Sequence, residues 1–117
     1  MSKKILVIGT LAFDSIQTPF FYSGIILGGA ATYISFAISK ISNNFGVVSV
    51  VGDDFPLEYL DKIKLTGADV SGVEIVKNKE SFFWSGKYHK DINKRTTLET
   101  KLGVLENFNP IIPENFK

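Results

Sequence analysis

Apolar and polar positions alternate along this chain in blocks that predict secondary structure directly. Ile5-Leu6-Val7-Ile8 is an unbroken apolar run that stops at Gly9, the pattern of a central strand covered on both faces. Asp14 follows just beyond the carboxyl end of that strand, the edge at which open α/β sheets bind ligands. Thr18 to Leu27 is aromatic and apolar but broken by Pro19 and Gly24, which predicts an irregular edge strand. Gly28-Gly29 then opens a segment from Ala30 to Ile41. Its Ile34, Ala37, Ile38 and Ile41 recur at helical spacing, and no charge precedes Lys40, so a buried helix is predicted. Asn43-Asn44 and Gly46 close it, and Val47 to Val51 forms a second buried strand ending at Gly52. Asp53-Asp54 with Pro56 reads as a helix start, a capping carboxylate followed by proline in the first turn. Leu57, Leu60 and Ile63 mark the inner face of that helix, Gly67 stops it, and Val73 to Val76 is a third strand. The order β-α-β-α-β is that of an α/β protein: a Rossmann-like, mostly parallel sheet with helices on both faces.

After Lys79 the period changes to two. Phe82, Trp84 and Tyr88 fall on one face of a strand and Phe83, Ser85 and Lys87 on the other. Asp91-Ile92-Asn93 supplies a turn, and Arg95 to Thr100 returns as the partner strand. This hairpin is no further βαβ unit, so it is expected to project from the main sheet. Prolines 110 and 113 punctuate the remaining residues, and no internal repeat is visible.

Two segments imitate targeting or membrane sequences. Lys3 and Lys4 precede the apolar run Ile5 to Phe13, but β-branched residues, the interruption at Asp14 and the lack of a small-x-small site favour a buried strand over a signal peptide. Ser15 to Ser39 carries no charge, yet Pro19, three glycines, Gln17 and several hydroxyl residues make it a poor transmembrane helix. No membrane partner is expected, and the cytoplasm is the expected location. The net charge of +1 argues against nucleic-acid binding through a broad basic field. With no cysteine, disulfides, thiolate nucleophiles and cysteine-based zinc sites are excluded, and the single His89 cannot build a histidine-rich metal centre. At 44% hydrophobic residues, the 117-residue chain has ample material for a core.

Few residues carry chemistry. Gly28-Gly29 at a helix start would leave backbone N–H groups and the positive end of the helix dipole free for a ligand, although for the pair taken alone a tight strand-to-helix turn is the favoured explanation. Gly9 to Asp14 lacks G-x-G-x-x-G, and G-x-x-x-x-G-K-[ST] occurs nowhere, which disfavours a dinucleotide dehydrogenase and a P-loop enzyme. Asp53-Asp54 fits helix capping better than a paired-carboxylate acid/base or metal site. His89, between Lys87 and Lys90, reads as a solvated turn residue. The aromatic cluster Phe82, Phe83, Trp84 and Tyr88 suits a lid, an interface or a core.

From Gly28 the sequence runs Gly-Gly-Ala-Ala-Thr-Tyr-Ile-Ser, with Ser42 seven residues after Ser35 and Gly52 ten further on. This resembles the first signature of the PfkB/ribokinase family of sugar and nucleoside kinases, except that Tyr33 stands where the family pattern has Asn. The opening strand with Asp14, and Gly46 to Gly52 followed by Asp53-Asp54, resemble the same family in order and spacing. The resemblance implies a ribokinase-like fold and ATP-dependent, Mg²⁺-assisted phosphorylation of a hydroxymethyl group on a small-molecule sugar or nucleoside. It implies substrate binding by Asp14, Gly28, Gly29 and Tyr33. It further implies a small β-lid of segments about 16–27 and 80–100, bearing Phe82, Trp84 and Tyr88, through which two copies can form a homodimer. The family's Gly-Ala-Gly-Asp segment, with its anion hole and catalytic base, lies downstream of the matched region. Residues 1–117 are therefore expected to be the N-terminal part of such a kinase. No catalytic base and no metal ligand are expected in them, the ATP-binding part is absent, and the piece alone is expected to be inactive. The alternative is a non-catalytic sugar-binding or dimerisation module.

Overall fold

In a computed structural model that describes residues 4–117, the strands divide between two sheets. Lys3, half of the charged pair at the chain start, lies outside the described residues. The chain order is β1 (Ile5–Ile8), β2 (Ala12–Gln17), β3 (Tyr22–Gly28), α1 (Ala30–Ile38), β4 (Phe45–Gly52), α2 (Leu57–Lys64), β5 (Ala68–Val76), β6 (Phe82–Tyr88) and β7 (Arg95–Lys101). Short 3-10 helices follow at Gly103–Asn107 and Glu114–Phe116.

The first sheet has the order β1-β4-β5, parallel throughout. Every residue of β4, which pairs with both β1 and β5, is buried, whereas Ile8 at the end of β1 is exposed. Among the described residues β1 pairs with β4, Ile5 opposite Phe45 and Ile8 opposite Val48. The third strand begins at Ala68, five residues before the predicted Val73. Its first half is polar, and Asp69 accepts a 2.9 Å bond from the Ser71 N–H.

Alternation along β4 assigns its two faces. Phe45, Val47 and Val51 pack with Val7, Ala31, Leu60 and Ile63 beneath α1 and α2. Leu60 and Ile63 are the buried pair of α2, each burial contributing on the order of 2 kcal/mol. Leu57, predicted to share that face, is exposed because it opens the helix beyond the core. On the reverse face, Phe116 lies over Gly46 and Pro113 over Gly72, so residues 103–116 and their 3-10 helices form the cover. That cover is pinned where Lys4 Nζ donates to the Asn115 carbonyl at 2.7 Å and Asn115 Nδ2 donates to Asp69 Oδ2 at 3.0 Å. The Ser71 amide and side chain, and then Asn115, hold the Asp69 carboxyl below its ordinary value.

Helix α1 departs from its prediction in length and in facing. It ends at Ile38, and its buried residues are Ala31, Thr32 and Ser35 rather than Ile34, Ala37 and Ile41. Small residues let the helix settle close to the chain at Gly9, while hydroxyl donation from Thr32 to Gly28 O (2.7 Å) and from Ser35 to Ala31 O (2.6 Å) satisfies the buried polar atoms. Ile34 and Ile41 are exposed.

The second sheet has the order β3-β2-β6-β7, with β2 parallel to β6 and the outer pairs antiparallel. The predicted edge strand is β3 and the predicted hairpin is β6–β7. The strand β2 departs from the sequence pattern: Asp14, expected just beyond the carboxyl end of β1, sits in mid-strand, opposite Ile26 and Trp84. The hairpin is thus half of a four-stranded sheet that begins at Ala12 and ends at Lys101. Its projection gives a Cα radius of gyration of 15.2 Å, against about 13 Å for a compact domain of this length.

Candidate functional site

The two sheets meet at the start of α1, where the candidate residues Asp14, Gly28 and Gly29 converge. Asp14 is 9% exposed, and its carboxylate lies directly over the Gly28 Cα. A side chain on Gly28 would overlap Asp14 Oδ2 and Cγ and stand 2.9 Å from Asp14 Cβ, so glycine is required by close approach. Gly29 has φ +95°, a region that side-chain-bearing residues rarely adopt. Burial pushes the Asp14 carboxyl above its ordinary value, and the Gly29 backbone N–H partly offsets this by favouring the ionised form.

The helix start is less open than the sequence suggested. Ala30 N–H donates to Thr10 Oγ1 at 3.0 Å, and Ala31 N–H donates to the Thr10 carbonyl at 2.9 Å. Thr10 therefore caps α1 from the β1–β2 connection, twenty residues away in sequence. No local signal pointed to it, because a cap is normally sought in the residue preceding the helix.

Tyr33 lies one turn into α1 and is 53% exposed. Its hydroxyl is raised from its ordinary value by partial burial, then by the Asp14 carboxylate and by Tyr88. Asp14, Tyr33 and Tyr88 thus share one electrostatic neighbourhood, joining the helix to the second sheet. Paired residues of adjacent strands present side chains to the same face, which places Phe82 beside Ala12 and Trp84 beside Asp14. The Trp84 ring is laid flat across Gly86, under the Arg95 guanidinium at 5.4 Å, with Nε1 donating to Thr97 Oγ1 at 3.3 Å. Tyr88 is the ring whose influence reaches Tyr33. Phe83 turns to the opposite face, with Lys101 5.9 Å from its ring.

Asp53 and Asp54 do not cap α2, whose N-cap is Pro56 with no side-chain bond. Asp53 Oδ2 accepts from the Asn78 N–H at 2.9 Å, and Asp54 accepts from both the N–H and the hydroxyl of Ser81. The predicted cap is corrected to a tether between the β4–α2 and β5–β6 connections. Pairing across 25 and 27 residues leaves no mark in the local pattern. His89 is at the exposed hairpin turn, hydrogen-bonded to Thr96 Oγ1 at 2.8 Å. Among the described residues no group of three Asp, Glu or His side chains is placed to hold a metal ion. Nor does any helix among them have the length and apolarity to cross a membrane.

No protein-family model matches the chain. A cytidine kinase of Thermococcus kodakarensis is 29% identical over 113 residues, 96% of this chain and 39% of that protein. The fold is similar to the nucleoside kinase of Methanocaldococcus jannaschii, an archaeal member of the ribokinase family, with TM-score 0.71 and 25% identity over 90% of this chain and 38% of that one. It is also similar to the Burkholderia thailandensis nucleoside kinase in complex with inosine, with TM-score 0.72 and 20% identity over 86% of this chain and 36% of that one. The ribokinase of Cryptococcus neoformans var. grubii in complex with ADP gives TM-score 0.65 and 18% identity over 87% and 35% of the respective chains. The chain spans about two fifths of the length of the curated relative. In fold and in sequence, then, this chain is similar to the N-terminal portion of the PfkB/ribokinase family of sugar and nucleoside kinases.

Proposed function

We propose that this chain is the acceptor-binding and lid portion of a kinase that transfers the γ-phosphate of ATP to a hydroxymethyl group of a sugar or nucleoside. The observation that carries this reading is Asp14, a nearly buried carboxylate held over Gly28 at the junction of the two sheets. Vicinal hydroxyls are well matched to such a group, since each O–H donates to a carboxylate oxygen and regains the interaction lost on leaving water. A bound hydroxyl also favours the ionised form, opposing the effect of burial. The Tyr33 hydroxyl, standing where the family pattern has Asn, both donates and accepts, and with Asp14 it would discriminate among hydroxyl patterns. The second sheet, with Phe82, Trp84 and Tyr88, would act as the lid, excluding water from the acceptor. ATP and Mg²⁺ would supply the phosphoryl group and charge neutralisation. Their main binding site is expected to lie outside this chain, whose part would be to bind and orient the acceptor. By itself the 117-residue piece is expected to be inactive, and the cytoplasm is its proposed location.

The reading is tested by assaying the longer native protein for ATP-dependent phosphorylation of a panel of ribonucleosides and pentoses. Transfer to one of them, lost in Asp14→Asn, is expected. If no acceptor is phosphorylated, or if Asp14→Asn transfers as well as the parent, the assignment is wrong.

A second reading, a dimerisation module, is favoured by Phe20, Phe21, Tyr22 and Ile25, all exposed at the free edge of the second sheet. It predicts a concentration-dependent homodimer in sedimentation velocity that Phe21→Ser with Ile25→Ser dissociates. A monomer at all concentrations removes it.

A further inference from the structure

Three connections cross where the second sheet joins the first: the end of β4 with residues 53–54, residues 77–81 before β6, and residues 102–104 after β7. Ser81 stands at the crossing and is 2% exposed. Its hydroxyl donates to Asp54 Oδ1 at 2.7 Å and accepts from the Gly52 N–H at 2.9 Å. Its backbone N–H donates to Asp54 Oδ1 at 3.0 Å and Oδ2 at 3.2 Å. Glu80 O accepts from the Val104 N–H at 2.8 Å, which ties in the third connection. The segment before β6 passes so near Gly52 that a Cβ there would overlap the Lys79 carbonyl and stand 2.9 Å from Asp54 Oδ1. One residue after Ser81, β6 begins, and in register with β2 it carries Phe82 beside Ala12 and Trp84 beside Asp14.

We propose that Asp54 is a positioning residue for the acceptor site, acting through Ser81 to set the height and tilt of β6 against the first sheet. It touches no acceptor itself. Its carboxylate fixes Ser81 by side chain and backbone together, so the face bearing Trp84 and Tyr88 is held at one distance from Asp14 and Tyr33. A carboxylate suits the task because charge-assisted bonds are shorter and stronger than neutral ones, and two acceptor oxygens meet two donors of one residue. The inference rests on the reading of the Asp14 cleft as the acceptor site.

The test compares Asp54→Ala, Asp54→Asn, Ser81→Ala and Asp14→Asn in the native protein. Its readouts are amide hydrogen exchange and affinity for the ribonucleoside or pentose that binds the parent. Asp54→Ala is expected to speed exchange in β6 while leaving β4 protected, and to weaken acceptor affinity about tenfold, equivalent to about 1.4 kcal/mol. Asp54→Asn keeps an acceptor oxygen for Ser81 and is expected to restore most of the affinity, which a general loss of stability would not do. Ser81→Ala should reproduce the Asp54→Ala pattern more weakly, because its backbone N–H still reaches Asp54. If Asp54→Ala leaves β6 exchange and acceptor affinity unchanged while Asp14→Asn abolishes binding, the positioning role is refuted and the acceptor site stands. If Asp14→Asn leaves affinity unchanged, the acceptor site fails first. If β4 loses protection together with β6, Asp54 is a general stability residue and the proposal is overturned.

Discussion

Replacing Gly28 by alanine tests the junction where Asp14 sits. The added methyl would overlap the Asp14 carboxylate, so either the carboxylate rotates away or β3 separates from β2. Overpacking of this kind costs typically 1–3 kcal/mol. Gly28 is buried and Asp14 is tied to mid-strand, opposite Ile26 and Trp84, so little relaxation is open to either; about 2 kcal/mol is the expected loss. The discriminating measurement is a double-mutant cycle with Asp14→Ala, using urea midpoints of the four proteins. Asp14→Ala removes the overlapping Oδ2 and Cγ and leaves only the 2.9 Å approach to Cβ, so the double variant should recover at least about 1 kcal/mol relative to the sum of the singles. Additive effects within about 0.3 kcal/mol would mean that the two residues do not touch, and the geometry of the junction would be refuted.

Three further outcomes follow from the same geometry. Gly29→Ala places a side chain at φ +95° and against the Thr10 carbonyl; a loss of about 1–3 kcal/mol from the backbone conformation alone should appear as a lowered thermal midpoint, and an unchanged midpoint would contradict the turn. Thr10→Val removes the hydroxyl that accepts from Ala30 N–H and should cost about 0.5–2 kcal/mol, as for a lost helix cap, read from the urea midpoint. The pH dependence concerns Asp14, whose folded-state value is raised above its ordinary 3.8. A raised value means that its contribution to stability is full below the unfolded pKa and is lost as pH rises through the folded one. Asp14→Asn should therefore gain on the parent protein between pH 4 and pH 8, whereas a parent that gains on the variant over that interval would reverse the assigned direction.

Much of the architecture was legible in the chain because burial and periodicity coincide there. The run Val47 to Val51 reads as a buried strand and is one, and the period-two pattern from Phe82 locates β6 and its return as β7. The reading erred where a partner distant in sequence decides the outcome. Ala12 to Gln17 contains Asp14 and Ser15 among apolar residues, so its pattern is masked, and it becomes a strand by pairing with β3 and β6 at once. In α1 the apolar repeat pointed to Ile34 and Ile41, but the face that packs is made of Ala31, Thr32 and Ser35, residues small enough for close approach and able to satisfy their own hydroxyls. Of the site, Asp14, Gly28, Gly29 and Tyr33 do stand together. Thr10 and Ser81 were invisible because their partners are 20 and 27 residues away.

The central claim, that this chain binds the acceptor at Asp14, is tested most directly by titrating isotope-labelled protein with ribonucleosides and pentoses and following its backbone amide resonances. One of these ligands should shift the amides of Asp14, Gly28, Gly29, Tyr33 and Tyr88 together. Its analogue lacking one vicinal hydroxyl should bind more weakly, and Asp14→Asn should abolish the shifts. Shifts confined to other surfaces, or an Asp14→Asn protein that responds as the parent does, would contradict the account.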